Sequence, residues 1–215
     1  MGIGAISDLD AAMKMAVDLG AKAINMSFGT DDSALDRHAP KPHSDVVAYA
    51  LDRGCVLVAA SGNSGGETCY WPAAFPGVIA VGAVGPDARP CSFSTRGDHV
   101  ALCAPGERIR TLGLEGYQYA TGTSFAAPFV TAAAALLVAR AEQRSTPLDG
   151  IEIRRLLVES AAPFSGPAVT GCGAGVLDAC DALQKLDAYI NDSLPDDSGD
   201  VEESEPVLAH QPGIQ

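Results

Sequence analysis

The sequence is short of positive charge, of paired-cysteine spacings and of anything resembling an export signal, and each shortage removes a class of function. Only 14 Lys and Arg stand against 27 Asp and Glu in 215 residues, a formal charge of −13. Nucleic-acid binding depends on clustered Lys and Arg that release counterions from phosphates, so nucleic acid is not an expected partner. Cys55, Cys69, Cys91, Cys103, Cys172 and Cys180 form neither a C-x-x-C pair nor a cluster with histidine, so no zinc site is read from them, and no metal or other cofactor is assigned. Cys55 and Cys103 fall inside apolar runs, where free cysteine packs as a small hydrophobe; the disulfide state stays open. The first residues lack a charged stretch followed by an apolar one, and no apolar run reads as a bilayer span. The chain is therefore expected to be soluble and without a membrane partner, its compartment unassigned.

What is present is hydrophobic pattern. Over residues 7–19, Leu9, Ala12, Met13, Ala16 and Val17 recur at helical spacing, and Gly20 stops the run. The period then changes: residues 22–29 (KAINMSFG), 55–61 (CVLVAAS) and 78–84 (VIAVGAV) are short apolar runs bounded by glycine, as strands buried on both faces are, with residues 99–104 (HVALCA) a weaker fourth. Residues 45–53 predict a helix capped by Ser44 and stopped by Gly54. Strand, helix, strand implies a right-handed parallel crossover. A hairpin-like stretch over 109–120 precedes helical segments at 124–140, 149–160 and 177–190. The expectation is one α/β layered domain over residues 1–190. Residues 191–215 carry seven acidic residues, three prolines and no Lys or Arg. That is too little apolar surface to offset the entropy of ordering, so a disordered acidic tail, dispensable for folding, is expected.

Three stretches offer chemistry. In TGTSFAAPFV (residues 121–130) Ser124 stands at the start of an Ala-rich helix, where orphan N–H groups and the positive end of the helix dipole favour negative charge. Its hydroxyl either caps the helix or attacks a substrate. Pro128 removes the N–H that would satisfy the Ser124 carbonyl, a local cost that core packing does not require. In AASGNSGG (59–66) small residues follow a buried strand, and Asn63 is either a turn residue or an amide donor to an oxyanion. INMSFG (24–29) ends with little bulk at Ser27 and Gly29, which suits a peptide pairing edge-on as well as a strand leaving its sheet. The G-x-S-x-G elbow of the α/β-hydrolases is absent.

Together and in this order, these stretches resemble the subtilisin-like serine peptidases, the subtilases. FPGVIAVGAV (75–84), CSFSTRG (91–97), CAPGERI (103–109) and GAGVLDACDAL (173–183) match in register, so the resemblance runs from about residue 7 to residue 186. It implies a three-layer subtilisin-like fold with a mainly parallel sheet, a polypeptide substrate, and hydrolysis through an acyl-enzyme. On that resemblance Ser124 is the nucleophile, Asn63 and the Ser124 N–H are the oxyanion donors, and Thr123 supports them. Ser27, Phe28 and Gly29 would bind the peptide, and Ala59, Ala60, Ser61 and Gly62 would form the pocket for the residue before the scissile bond. The sedolisins share the Gly-Thr-Ser signature but use an aspartate at the oxyanion position, so Asn63 favours the subtilases.

The pattern breaks upstream. Subtilases carry their Asp and His ahead of the substrate strand, in Asp-Ser/Thr-Gly and His-Gly-Thr motifs; neither precedes Ile24, and the DSG of residues 197–199 lies in the tail. The chain is expected to be the C-terminal two-thirds of such a domain, its N-terminal strands missing, and nearly inactive until a longer gene or another chain supplies Asp and His. His38, His43, His99 and His210 are the imidazoles at hand, and none follows the family's geometry for a base. A peptide-binding pseudoprotease and an inactive truncated fragment are the rival readings.

Overall fold

The computed structural model describes residues 5–167 and 169–193. Helix α1 (Ile6–Asp18) leads into β1 (Ala23–Met26), the short β2 (Thr30–Asp31), α2 (Ser44–Leu51), β3 (Val56–Ala60), the short β4 (Tyr70–Trp71), β5 (Ile79–Val84) and β6 (Val100–Pro105). An antiparallel hairpin of β7 (Ile109–Gly113) and β8 (Gly116–Ala120) follows, then α3 (Thr123–Gln143), α4 (Gly150–Glu159) and α5 (Ala179–Ser193). Strands β1, β3, β5 and β6 form a parallel sheet in that order, and β2 pairs with β4 as a separate two-stranded piece.

The sheet is buried on both faces because its strands send alternate side chains into two cores. Val56, Val58, Ala60, Ile79, Val81 and Ala83 pack with α3, α4 and α5, while Leu57, Ala59 and Ala80 pack with α1 and α2. This is a three-layer α/β arrangement with a mainly parallel sheet. Helix α3 presents Ala126, Ala127, Val130, Ala133, Ala134, Leu137 and Ala141, mostly small side chains that bring its backbone close to all four strands. By length and composition α3 is apolar enough to cross a membrane, contrary to the expectation of no such run. Here it is the central core helix, in contact with the sheet, α4 and α5.

Several element ends shift for reasons that bear on function. Strand β1 stops at Met26 instead of reaching Gly29, because Ser27 turns out of the ladder toward Ser124. The N-cap of α2 is His43, with left-handed backbone at φ 69°, rather than Ser44. Helix α3 starts at Thr123 with Gly122 as its cap, so Ser124 is not the cap. Asp149 caps α4, its carboxylate accepting from the Glu152 N–H at 2.8 Å. Strand β1 is the outermost strand, paired on one side only among the described residues. All six cysteines are free thiols, with Cys55, Cys103 and Cys172 buried. The expected acidic tail, apart from its first residues in α5, lies outside the described residues, as do His210 and the DSG at 197–199.

Candidate active site

The site is assembled where the start of α3 meets the loop after β3. Thr123, fully buried, donates its N–H to Asn63 Oδ1 at 2.9 Å. Its hydroxyl lies 3.1 Å from the same oxygen and 3.3 Å from the Gly62 carbonyl, and the Gly62 N–H donates back to Thr123 Oγ1 at 3.2 Å. A backbone N–H requires an acceptor, which fixes the orientation of the Asn63 amide: oxygen toward Thr123, Nδ2 on the other side. Asn63 is exposed, and its Nδ2 has no hydrogen-bond partner among the described residues.

Gly62 is required where it stands. Its φ is 104°, and a Cβ there would lie 2.8 Å from Thr95 Oγ1 and 2.9 Å from the Tyr70 ring. Thr95 clamps this loop. It accepts the Ser64 N–H at 3.1 Å, gives its own N–H to the Gly62 carbonyl at 3.0 Å, and receives the Ser61 hydroxyl on its carbonyl at 3.1 Å. Sequence reasoning did not single out Thr95, since no local pattern connects it to partners 31 and 34 residues away.

Ser124 is half-buried at the second position of α3. Its hydroxyl donates to the Ser27 carbonyl at 3.3 Å, and the Ser27 hydroxyl donates to the Ser124 carbonyl at 2.8 Å. That carbonyl is the one Pro128 leaves without a helical donor. Behind it, Asn25 Nδ2 donates to Ser27 Oγ at 2.8 Å, and Thr131 Oγ1 donates to Asn25 Oδ1 at 3.0 Å. Asn25 and Thr131 are thus supporting residues that the motifs did not reveal. The second helical N–H has no intrahelical acceptor, so the Ser124 N–H and Asn63 Nδ2 are both available to a developing oxyanion.

The expected substrate-binding residues separate into two groups. Phe28 and Gly29 flank the site: the Phe28 ring meets that of His43 edge-on at 5.2 Å, and any Cβ at Gly29 would collide with the Trp71 carbonyl and the Tyr70 ring. Ala59 and Ala60 lie inside the two cores, and Ser61 is buried against Thr95. These three side chains therefore do not face a pocket; what they offer is a lack of bulk beneath the Gly62 backbone.

Among the described residues, no imidazole is hydrogen-bonded to Ser124. His43 is buried, with Nδ1 2.5 Å from Asp10 Oδ1 on α1. His38 is exposed, and its backbone N–H is bonded to Asp36. His99 borders a cavity of about 520 Å³ with Phe75, Asp98, Ile151 and Arg154, and its buried Nε2 has no partner among the described residues. Burial holds the His99 pKa below the usual imidazole value, with Asp98 opposing the shift. Among the described residues, the site thus holds a hydroxyl and two anion donors without a hydrogen-bonded base.

The model of the subtilase family matches residues 2–196. The "Thermophilic serine proteinase" of Bacillus sp. (strain AK1) is 39% identical over 77% of this chain and 38% of its own length. "Fervidolysin" of Fervidobacterium pennivorans is 32% identical over 99% of this chain and 32% of its own length. The chain thus spans about a third of the length of these two relatives. Among solved structures, the prenylagaramide maturation protease PagA superposes with a TM-score of 0.77 at 31% identity, covering 86% of this chain and 69% of that one. The self-cleaved protease domain of PatA superposes with a TM-score of 0.75 at 33% identity, with the same coverage of 86% and 69%. On a match that spans nearly the whole sequence, the chain belongs to the subtilase family.

Proposed function

We propose that this chain is the nucleophile-bearing and substrate-binding portion of a serine endopeptidase that cleaves peptide bonds through an acyl-enzyme. The observation that carries this reading is the fixed Asn63 amide: with Oδ1 committed to Thr123, its NH₂ group has no partner among the described residues and is available at the start of α3. Ser124 Oγ attacks the scissile carbonyl carbon. The oxyanion that forms accepts from Asn63 Nδ2 and the Ser124 N–H, and Thr123 keeps the amide from turning. Ser27, Phe28 and Gly29 guide the peptide edge-on, and Gly62 leaves room for the side chain before the scissile bond. Hydrolysis also needs a base to take the Ser124 proton and return it to the leaving amine. We assign that role to an Asp and His carried on a segment that joins the sheet at the open edge of β1. Without it, the chain keeps only the rate advantage of roughly 10³ to 10⁴ over water that subtilisins retain when stripped of their triad.

The test is co-expression of the full chain with a segment bearing the family's Asp and His strands, followed by peptide hydrolysis and fluorophosphonate labelling. Hydrolysis and a label on Ser124 are expected in the combination, with both lost in Ser124→Ala. Peptide binding without turnover in that combination would support the pseudoprotease reading instead. Hydrolysis by the chain unaided would return the search for a base to His38, His43 and His99.

A further inference from the structure

Cys103 and Cys172 are 69 residues apart in sequence and adjacent in space. The Cys103 thiol donates to the Cys172 carbonyl oxygen at 3.2 Å, and the two side chains belong to one buried cluster. Both are buried, forming a small core of their own with Val84 under Phe164, Val169 and Val176. Backbone hydrogen bonds hold the Cys172 segment along β6: Ala174 N–H to the Ala101 carbonyl at 3.0 Å, Cys103 N–H to Gly175 at 2.8 Å, and Leu177 N–H to Cys103 at 2.8 Å. Cys172 thus belongs to a segment pinned along the strand that carries Cys103, which keeps the two residues side by side. Nothing in the candidate active site uses either thiol. Their protonation is unequal. Cys103, which donates to Cys172 and is buried, is held above the usual thiol range, whereas Cys172, which accepts from Cys103 and feels the Arg96 charge, is held below it.

We propose that Cys103 and Cys172 are a redox pair that closes to a disulfide and ties the segment around Cys172 to β6. The oxidant is a small disulfide of the glutathione class. The Cys172 thiolate attacks one sulfur of that disulfide and releases one thiolate; Cys103 gives up its proton to water and attacks the Cys172 sulfur, releasing the second. Two protein thiols are oxidised and one disulfide is reduced to two thiols. The staple reaches toward the nucleophile, because β6 runs into Gly106, whose carbonyl accepts the Gly122 N–H at 2.8 Å.

The experiment incubates the full chain with oxidised or reduced glutathione, then alkylates it in denaturant and maps its peptides by mass spectrometry. Oxidation is expected to leave four alkylated cysteines and one peptide pair joined through Cys103 and Cys172. The long loop closed should raise the melting temperature by roughly 5 to 15 °C over the reduced chain. Cys172→Ser should abolish the link and the rise, while Cys69→Ser and Cys180→Ser leave both intact. If Cys172→Ser fails to fold, the wild-type peptide map decides alone. Six alkylated cysteines after oxidation, a link through Cys91, or a link without a rise in melting temperature would each overturn the proposal.

Discussion

The pairing of Ser27 with the carbonyl that Pro128 strands can be measured as a coupling energy. In an unbroken helix the N–H of residue 128 would serve the Ser124 carbonyl; proline has none, and the Ser27 hydroxyl takes its place at 2.8 Å. Ser27→Ala removes that donor and leaves a carbonyl of the first helical turn unpaired. Such a group costs about 1 to 3 kcal/mol when fully buried. Because Ser124 is only half-buried and water reaches part of it, the lower half applies, about 1 to 2 kcal/mol. For a chain of this length that is a fall in melting temperature of roughly 2 to 8 °C. Pro128 is exposed, so Pro128→Ala introduces a helical N–H without crowding the core. In that background the carbonyl has its own donor, and Ser27→Ala should cost less by about 0.5 to 1.5 kcal/mol. Urea denaturation of the four proteins closes the cycle. An equal cost of Ser27→Ala in both backgrounds would refute the link between Pro128 and Ser27, leaving the hydroxyl only its contact with Asn25.

Three further expectations follow from single residues. In the reconstituted enzyme, Asn63→Ala should lower kcat by about 10² to 10³, the range known for the oxyanion amide of subtilisin itself, with KM little changed; a loss confined to KM would remove Asn63 from the oxyanion hole. Leu137 is completely buried between α3 and the sheet, so Leu137→Ala should cost about 2 to 5 kcal/mol in urea denaturation, and a cost under about 1 kcal/mol would mean that the α3 packing is wrong. His99 has a folded pKa lowered by burial, so the folded chain binds fewer protons there than the unfolded one. Its contribution to stability is complete above about pH 6.5 and is lost as pH falls through the folded value. His99→Leu should flatten the decline of melting temperature between roughly pH 7 and pH 5, and an unchanged slope would show that the decline comes from other groups.

Much of the frame was legible because buried strands and amphipathic helices write their period into the sequence. The four main strands and five helices fall within a few residues of their expected ends. The exceptions have tertiary causes. Ser44 has the better intrinsic preference for a cap, yet the cap is His43, held in a left-handed conformation by its bond to Asp10 and its contact with Phe28. Strands β2 and β4 are two residues each, too short to carry a period. Motif resemblance named Ser124 and Thr123 and made Asn63 an oxyanion donor, but it could not reveal what holds the amide that way round; that depends on the Thr123 N–H. Nor could it reveal Asn25, whose amide bridges to Thr131 across 106 residues. Ala59 and Ser61 show the reverse limit, since a strand-end motif names positions without saying that these side chains turn inward.

The open edge of β1 joins the folding and the chemistry of this chain. Ala23–Met26 pair with β3 on one side, and the other side presents unpaired N–H and C=O groups among the described strands. No proline or charge lies within those four residues to blunt the edge. An unpaired strand of this kind recruits another one, since each backbone group left without a partner is costly wherever water is excluded. A strand that pairs here also lies next to Ser27, and through Ser27 next to Ser124, which is where a base would have to arrive. The same groups should therefore drive self-association when the chain is alone and ordered assembly when the segment bearing Asp and His is present. Light scattering should show concentration-dependent association of the isolated chain. Hydrogen exchange should show rapid outer-edge amides in Ala23–Met26 that become protected as peptide hydrolysis appears on adding the segment. A monodisperse chain with those amides already protected would mean that another part of the sequence covers β1, and the segment carrying the base would then have to enter the site from a different side.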